Sequence, residues 1–228
     1  MYRHLFFDLD GTLMDFDEAE KRAFHYMASS LSIPITENSY QLYAECNLAC
    51  WKEFEQGLIT VEELTLKRFM MFQKASKLTF NAKEASTTYE HQLSGQGILY
   101  PESLPLLTEL QTKNVTLHLA SNGISHVQRG RLAASNLSRF FDEIFISTEI
   151  GFQKPDPQFF EYMLNTLQAD RRECLMIGDS LSSDIQGSLA SNIDCIWLNP
   201  KNQEPHYTPT YMIGALNELL PLLTTLLK

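Results

Sequence analysis

A chain of 228 residues with a net charge of −10 is long enough for one large domain or for a domain carrying a sizeable insertion. It is too acidic for a general nucleic-acid binder, since no basic stripe is present to neutralise phosphates. Apolar residues make up 44% of it and charged residues 20%, which supports a real core and excludes wholesale disorder.

The first apolar run, residues 5–8, predicts a buried strand. It ends in two acids, Asp8 and Asp10, followed by Gly11. Residues i and i+2 of a strand point to the same side, so both carboxylates can be presented together where the strand starts to turn. The plain alternative is a strand followed by an acidic turn. From about residue 16 to residue 95 the pattern is helical, and Pro34, the Gly57 region and the Asn81 region divide it into about four helices. A crossover this long reads as an inserted helical cap over residues 16–95, with residues 1–15 and 96–228 forming the core. Cys46 and Cys50 fall in this stretch without nearby histidines. With Cys174 and Cys195 they form no Cys-x-x-Cys pair, so ordinary reduced thiols are expected.

Further strands are expected at 115–120, 143–147, 174–177 and 195–198, and helices at 127–135, 157–167 and 185–190. The alternation indicates an α/β fold, a parallel sheet with helices on both faces. Residues 199–209 read as a loop before a last helix at 216–227. No apolar run reaches transmembrane length and no signal peptide is evident, so no membrane partner and a cytoplasmic setting are expected.

The other strand ends carry chemistry as well. "SNG" (Ser121, Asn122, Gly123) follows the second strand, where a hydroxyl and free N–H groups before a helix can bind an oxyanion; it is also an ordinary turn. "GFQKPDP" places Lys154 at a helix entrance, although an isolated Lys-Pro is usually a surface turn. "IGDSLSSD" sets Asp179 and Asp184 around the start of a helix, where acids also serve as simple caps. Four carboxylates gathered at one sheet edge repel one another, about 4 kcal/mol for each close pair at an effective dielectric of about 20. Such a cluster calls for a cation, and oxygen-only ligands suit Mg2+ rather than zinc.

In this order, "DLDGTL", "SN", the lysine of "QKPDP" and "GDSLSSD" resemble the four motifs of the haloacid dehalogenase-like hydrolase superfamily. The resemblance covers essentially the whole chain and implies a Rossmann-like core with a helical cap. It implies that Asp8 attacks phosphorus to form an aspartyl-phosphate, and that Asp10 is the general acid and base. It also implies that Mg2+ is held by the Asp8 carboxylate, the Asp10 carbonyl and Asp179, with Asp184 in support. Lys154, the Ser121 hydroxyl and the Asn122 N–H would hold the phosphoryl group. Ser121 stands where many relatives have Thr, and the hydroxyl is retained. Dehalogenases of the superfamily lack an acid at the position of Asp10, so the resemblance favours phosphate esters. "NLACWKEFEQGLITVEELTLKRF", starting at Asn47, looks like the bacterial pyrimidine 5′-nucleotidases. That implies a nucleoside monophosphate as the small-molecule partner. Asn47, Trp51 and Phe54 either face the base or pack between helices. The rival readings are a broad phosphatase on sugar or other small phosphates and a non-catalytic binding module. Nothing in the sequence speaks to oligomeric state.

Overall fold

A computed structural model describes residues 1–227. In chain order its elements are β1 (His4–Phe7), α1 (Phe16–Ser30), α2 (Ser39–Glu55), α3 (Val61–Ser76), α4 (Ala82–Ser94), α5 (Ser103–Leu110), β2 (Thr116–Ser121) and α6 (Ser125–Ser135). Then come β3 (Glu143–Ile146), α7 (Ser147–Ile150), α8 (Pro157–Leu167), β4 (Cys174–Gly178), α9 (Gln186–Ala190), β5 (Asp194–Leu198), β6 (Tyr211–Ile213) and α10 (Leu219–Leu226). Two compact units result. One comprises Met1–Phe16, Ile98–Ser125 and the chain from Ser135 onward; the other comprises Asp17–Gly97 and His126–Ala134.

The first unit holds a six-stranded sheet in the order β3-β2-β1-β4-β5-β6, with every pairing parallel. Parallel strands buried on both faces need continuous apolar runs, and β1 and β4 supply them as Leu5–Phe6–Phe7 and Leu175–Met176–Ile177. The order reverses at β1, so right-handed crossovers send the helices to opposite faces and open a crevice beyond the carboxyl ends of β1 and β4. Phe6, Phe145, Phe159, Phe160, Met176 and Trp197 fill a core cluster of this unit. Helix α8 begins on an Asp156 cap whose carboxylate accepts from the Gln158 N–H at 2.9 Å, with proline in its first turn.

The helical unit is built on an aromatic core. Phe24 stacks on Tyr43 at 4.9 Å, and Phe69, Phe72 and Tyr89 close around them. Helices α1 to α4 break where the sequence expects. Gly57 takes φ +69 just beyond the end of α2, a capping box of Thr60 and Glu63 starts α3, and Asn81 caps α4. The His126–Ala134 part of α6 belongs to this unit because Gly130 lies against α4: a Cβ there would come 2.7 Å from the Ser94 carbonyl.

Some elements differ from expectation. Strand β6 falls beyond the expected loop, and α5 was not expected at all. The segment before α9 is a π-helical turn, Leu181–Ile185, and a 3-10 turn at Leu216–Glu218 precedes α10. Among the described residues, no helix is long and apolar enough to cross a membrane.

Candidate active site

The Asp8 N–H donates to the Ile177 carbonyl at 2.9 Å, carrying the ladder one residue past β1. A tight turn follows, with the N–H groups of Leu13 and Met14 both donating to the Leu9 carbonyl. Gly11 sits in it at φ +79, where a side chain is strained, and a Cβ would meet Asp179 Oδ2 at 2.4 Å. The glycine therefore lets the Asp179 carboxylate lie against the turn. The Thr12 hydroxyl donates to Asp179 Oδ1 at 3.4 Å.

Gly178, the last residue of β4, plays the same part for Asp184: a Cβ there would come 2.2 Å from Asp184 Oδ2. Asp184 lies on the π-helical turn, which Ser180 starts by accepting the Ser183 N–H. Its Oδ2 accepts the Ser180 N–H at 3.1 Å and its Oδ1 accepts Lys154 Nζ at 2.6 Å.

Lys154 is 1% exposed and spends all three ammonium protons internally. Nζ donates to Asp8 Oδ1 at 2.8 Å, to Asp184 Oδ1 at 2.6 Å and to the Ala120 carbonyl at 2.6 Å. Burial alone would pull this amine down, but Asp184 and Asp8 outweigh it and hold the lysine above its ordinary value. Its backbone is clamped by the Asn122 side chain, which donates to the Lys154 carbonyl at 2.7 Å and accepts its N–H at 2.8 Å. Ser121, at the end of β2, is buried, and its hydroxyl accepts the Gly123 N–H at 3.1 Å.

Oxygens of Asp8, Asp179 and Asp184 lie within 4.8 Å of one another. Burial raises the Asp8 carboxyl well above the usual range; Lys154 counters this, while Asp184, Asp179 and Asp10 add to it. Asp179 is pushed up to about 7, by burial first and then by Asp184. One ammonium thus faces three clustered carboxylates. An all-oxygen donor set with uncompensated negative charge fits a hard divalent cation such as Mg2+. The Asp10 carboxylate is outside this close trio, although its charge acts on two of its members.

A match to haloacid dehalogenase-like hydrolases spans residues 2–192. The chain belongs to the haloacid dehalogenase-like hydrolase family. It is 36% identical to the pyrimidine 5′-nucleotidase PynA of Streptococcus pneumoniae (strain ATCC BAA-255 / R6), over 96% of this chain and 94% of that protein. The pyrimidine 5′-nucleotidase YjjG of Escherichia coli (strain K12) is 30% identical, over 96% of each chain. YfnB of Bacillus subtilis (strain 168) is 35% identical, over 97% of this chain and 95% of that one. The orthorhombic crystal form of YfnB, bound to magnesium, superposes with a TM-score of 0.92 over 98% of this chain and 99% of that one.

In this hydrolase, residues of the helical unit expected to meet substrate are engaged among themselves. Asn47 is 3% exposed; its amide donates to Glu20 Oε1 at 2.6 Å and its carbonyl accepts Arg68 Nη1 at 3.4 Å. Arg68 also donates to Glu90 Oε1 at 2.9 Å and lies 4.7 Å over the Tyr89 ring. The Asn47 side chain is therefore committed at both ends to a buried network, where the sequence suggests contact with a base. Trp51 is half-buried and edge-on to Phe54 at 5.7 Å, against the small cluster of Cys50, Phe54 and Leu64. Thr12 and Trp197, which touch Asp179, and Glu20 and Arg68, which hold the two ends of the Asn47 amide, are not singled out by sequence reading. The hydroxyl inside "DGTL" is a usable signal for the first; a tryptophan in an apolar strand reads only as core.

Proposed function

We propose that this chain is a Mg2+-dependent phosphomonoesterase that works through an aspartyl-phosphate, with pyrimidine nucleoside 5′-monophosphates as its substrate class. The observation that carries the reading is the buried Lys154 amine on Asp8 and Asp184, inside a trio of carboxylates at the sheet's crevice. Asp8, Asp179 and the Asp10 carbonyl would hold the metal, with Asp184 supporting through its bonds to Lys154 and Ser180. When bound, Mg2+ supplies positive charge against which an anionic nucleophile and an anionic ester can approach.

The Asp8 carboxylate attacks phosphorus and the nucleoside oxygen leaves. Asp10 protonates that oxygen, then takes a proton from the water that hydrolyses the acyl phosphate. Lys154 holds Asp8 in place and stabilises charge on the transferring group. The Ser121 hydroxyl and the Asn122 N–H bind phosphoryl oxygens, while the Asn122 side chain fixes the lysine loop. We assign base choice to the helical unit, with Trp51 as the stacking surface and Asn47 acting through the Glu20–Arg68 network. The names of PynA and YjjG support the nucleotide substrate. A soluble cytoplasmic enzyme fits this substrate class.

Side-by-side assay of UMP, dTMP, AMP, GMP and several sugar phosphates tests the reading. The expected result is the highest kcat/KM for the pyrimidine nucleotides. A sugar phosphate far ahead of every nucleotide would replace it with a broad phosphatase, and no phosphate release from any of them would leave a binding module.

A further inference from the structure

Asp179 stands one residue beyond the end of β4, where the sheet ladder no longer fixes the backbone. The last β4–β5 register pair is Gly178 with Trp197. The next carbonyl along β4, that of Asp179, is taken by a side chain instead: the Trp197 indole N–H donates to it at 2.9 Å. Trp197 is 1% exposed and sits in the core cluster among Phe159, Phe160 and Met176, so the donor has little freedom to move. Tryptophan can only donate, and burial without a partner would leave its N–H unpaired, which ties the ring to this carbonyl.

With its carbonyl held toward β5, Asp179 directs its carboxylate the other way. That carboxylate lies against Gly11, at the space a Cβ would fill, and beside the Thr12 hydroxyl. We infer that Trp197 is a positioning residue for the metal site: its N–H bond to the Asp179 carbonyl sets the aim of the Asp179 carboxylate toward the Asp8–Asp184 pair. The inference rests on the metal reading above. It concerns a residue outside the four motifs, reached from another strand.

The test is Mg2+ binding measured by calorimetry on the purified full chain, without turnover. Trp197→Phe removes the N–H and keeps an aromatic ring. Benzothienylalanine at the same position keeps the bicyclic shape and replaces N–H with sulfur, so it removes the bond with little change in packing. Met163→Ala, in the same core cluster on α8, is the packing control. Both Trp197 replacements should weaken Mg2+ binding at least threefold, while Met163→Ala loses thermal stability and keeps the wild-type dissociation constant. An unchanged constant in the benzothienylalanine protein overturns the role of Trp197 while leaving the metal reading intact. Equal weakening in Met163→Ala overturns it as well, since general loosening would then suffice. Absence of Mg2+ binding to the wild-type chain overturns the metal reading, and the inference with it.

Discussion

The residues of the candidate site divide by how their work is encoded. Asp8, Asp179, Asp184 and Lys154 are legible because their chemistry is carried by residue type at strand ends. The Asn122 side chain is not, since its two bonds go to a backbone 32 residues away and any polar side chain in a turn looks alike in sequence. Gly178 marks the boundary between the two. Its glycine is visible, but its reason, the Asp184 carboxylate at 2.2 Å from a would-be Cβ, is a tertiary fact. Two predictions belong here. Asp8→Asn removes the oxygen proposed to attack phosphorus while keeping an acceptor for Lys154, so turnover should fall roughly a thousandfold or more with an unchanged circular dichroism spectrum. Residual activity above a tenth of wild type would exclude Asp8 as nucleophile. Gly178→Ala should cost about 1–3 kcal/mol in denaturant unfolding, because the methyl group displaces a carboxylate held by two hydrogen bonds. A variant as stable as wild type would show that Asp184 can move aside freely.

At the scale of elements, most strands and helices were readable, even short ones such as β3 and α9, while α5 and β6 were not. Strand β6 has three residues, too few to display a period of two, and it forms because β5 offers a free edge. The sequence shows why β2 is buried but not what its histidine does there. His118 is 1% exposed, lies over Phe6 at 5.1 Å, and has its Nε2 3.1 Å from His4 Nδ1. Burial, with a smaller push from His4, lowers its pKa to about 4. The imidazole is thus neutral in the fold, while the unfolded chain takes up its proton near pH 6.5. The unfolded state binds more protons between those values, so this stability is complete above about pH 6.5 and drains away as pH falls toward 4. Between pH 7 and pH 5 the loss should be about 2 kcal/mol. Asp8 and Asp179, whose carboxyl pKa values burial raises, titrate with the opposite sign, so the informative quantity is the difference between wild type and His118→Phe in urea unfolding at several pH values. A difference that stays flat from pH 7 to pH 5 would mean that His118 protonates in place without cost.

For the whole molecule, the two compact units divide the proposed labour. Every group assigned to the metal lies in the sheet unit: Asp8 and Asp10 after β1, Asp179 and Asp184 after β4. Asn47 and Trp51, the residues proposed to act on base choice, lie in the helical unit. The four motifs speak for the first unit because phosphoryl chemistry restricts residue types tightly. The helical unit was legible as helices, but the network of Asn47 with Glu20, Arg68 and Glu90 was not, because polar residues this far apart in sequence show no link until the fold joins them. This division has a measurable consequence. In the proposed reading Mg2+ would relieve repulsion among three carboxylates of one unit, and a ligand that binds only the folded state stabilises by about 2.7 kcal/mol at a hundred times its dissociation constant. Amide hydrogen exchange with and without Mg2+, in the absence of substrate, should therefore show protection rising in the sheet unit, above all around residues 8–14 and 178–184. The amides of α2 and α3 should exchange as before, because no metal ligand is drawn from them. Chelation should abolish turnover, and Mg2+ should restore both turnover and this protection. If protection rises equally in α2 and α3, the metal acts on the chain as a whole and the division of labour fails. If it rises nowhere while Mg2+ still restores turnover, the carboxylate trio is not where the metal binds.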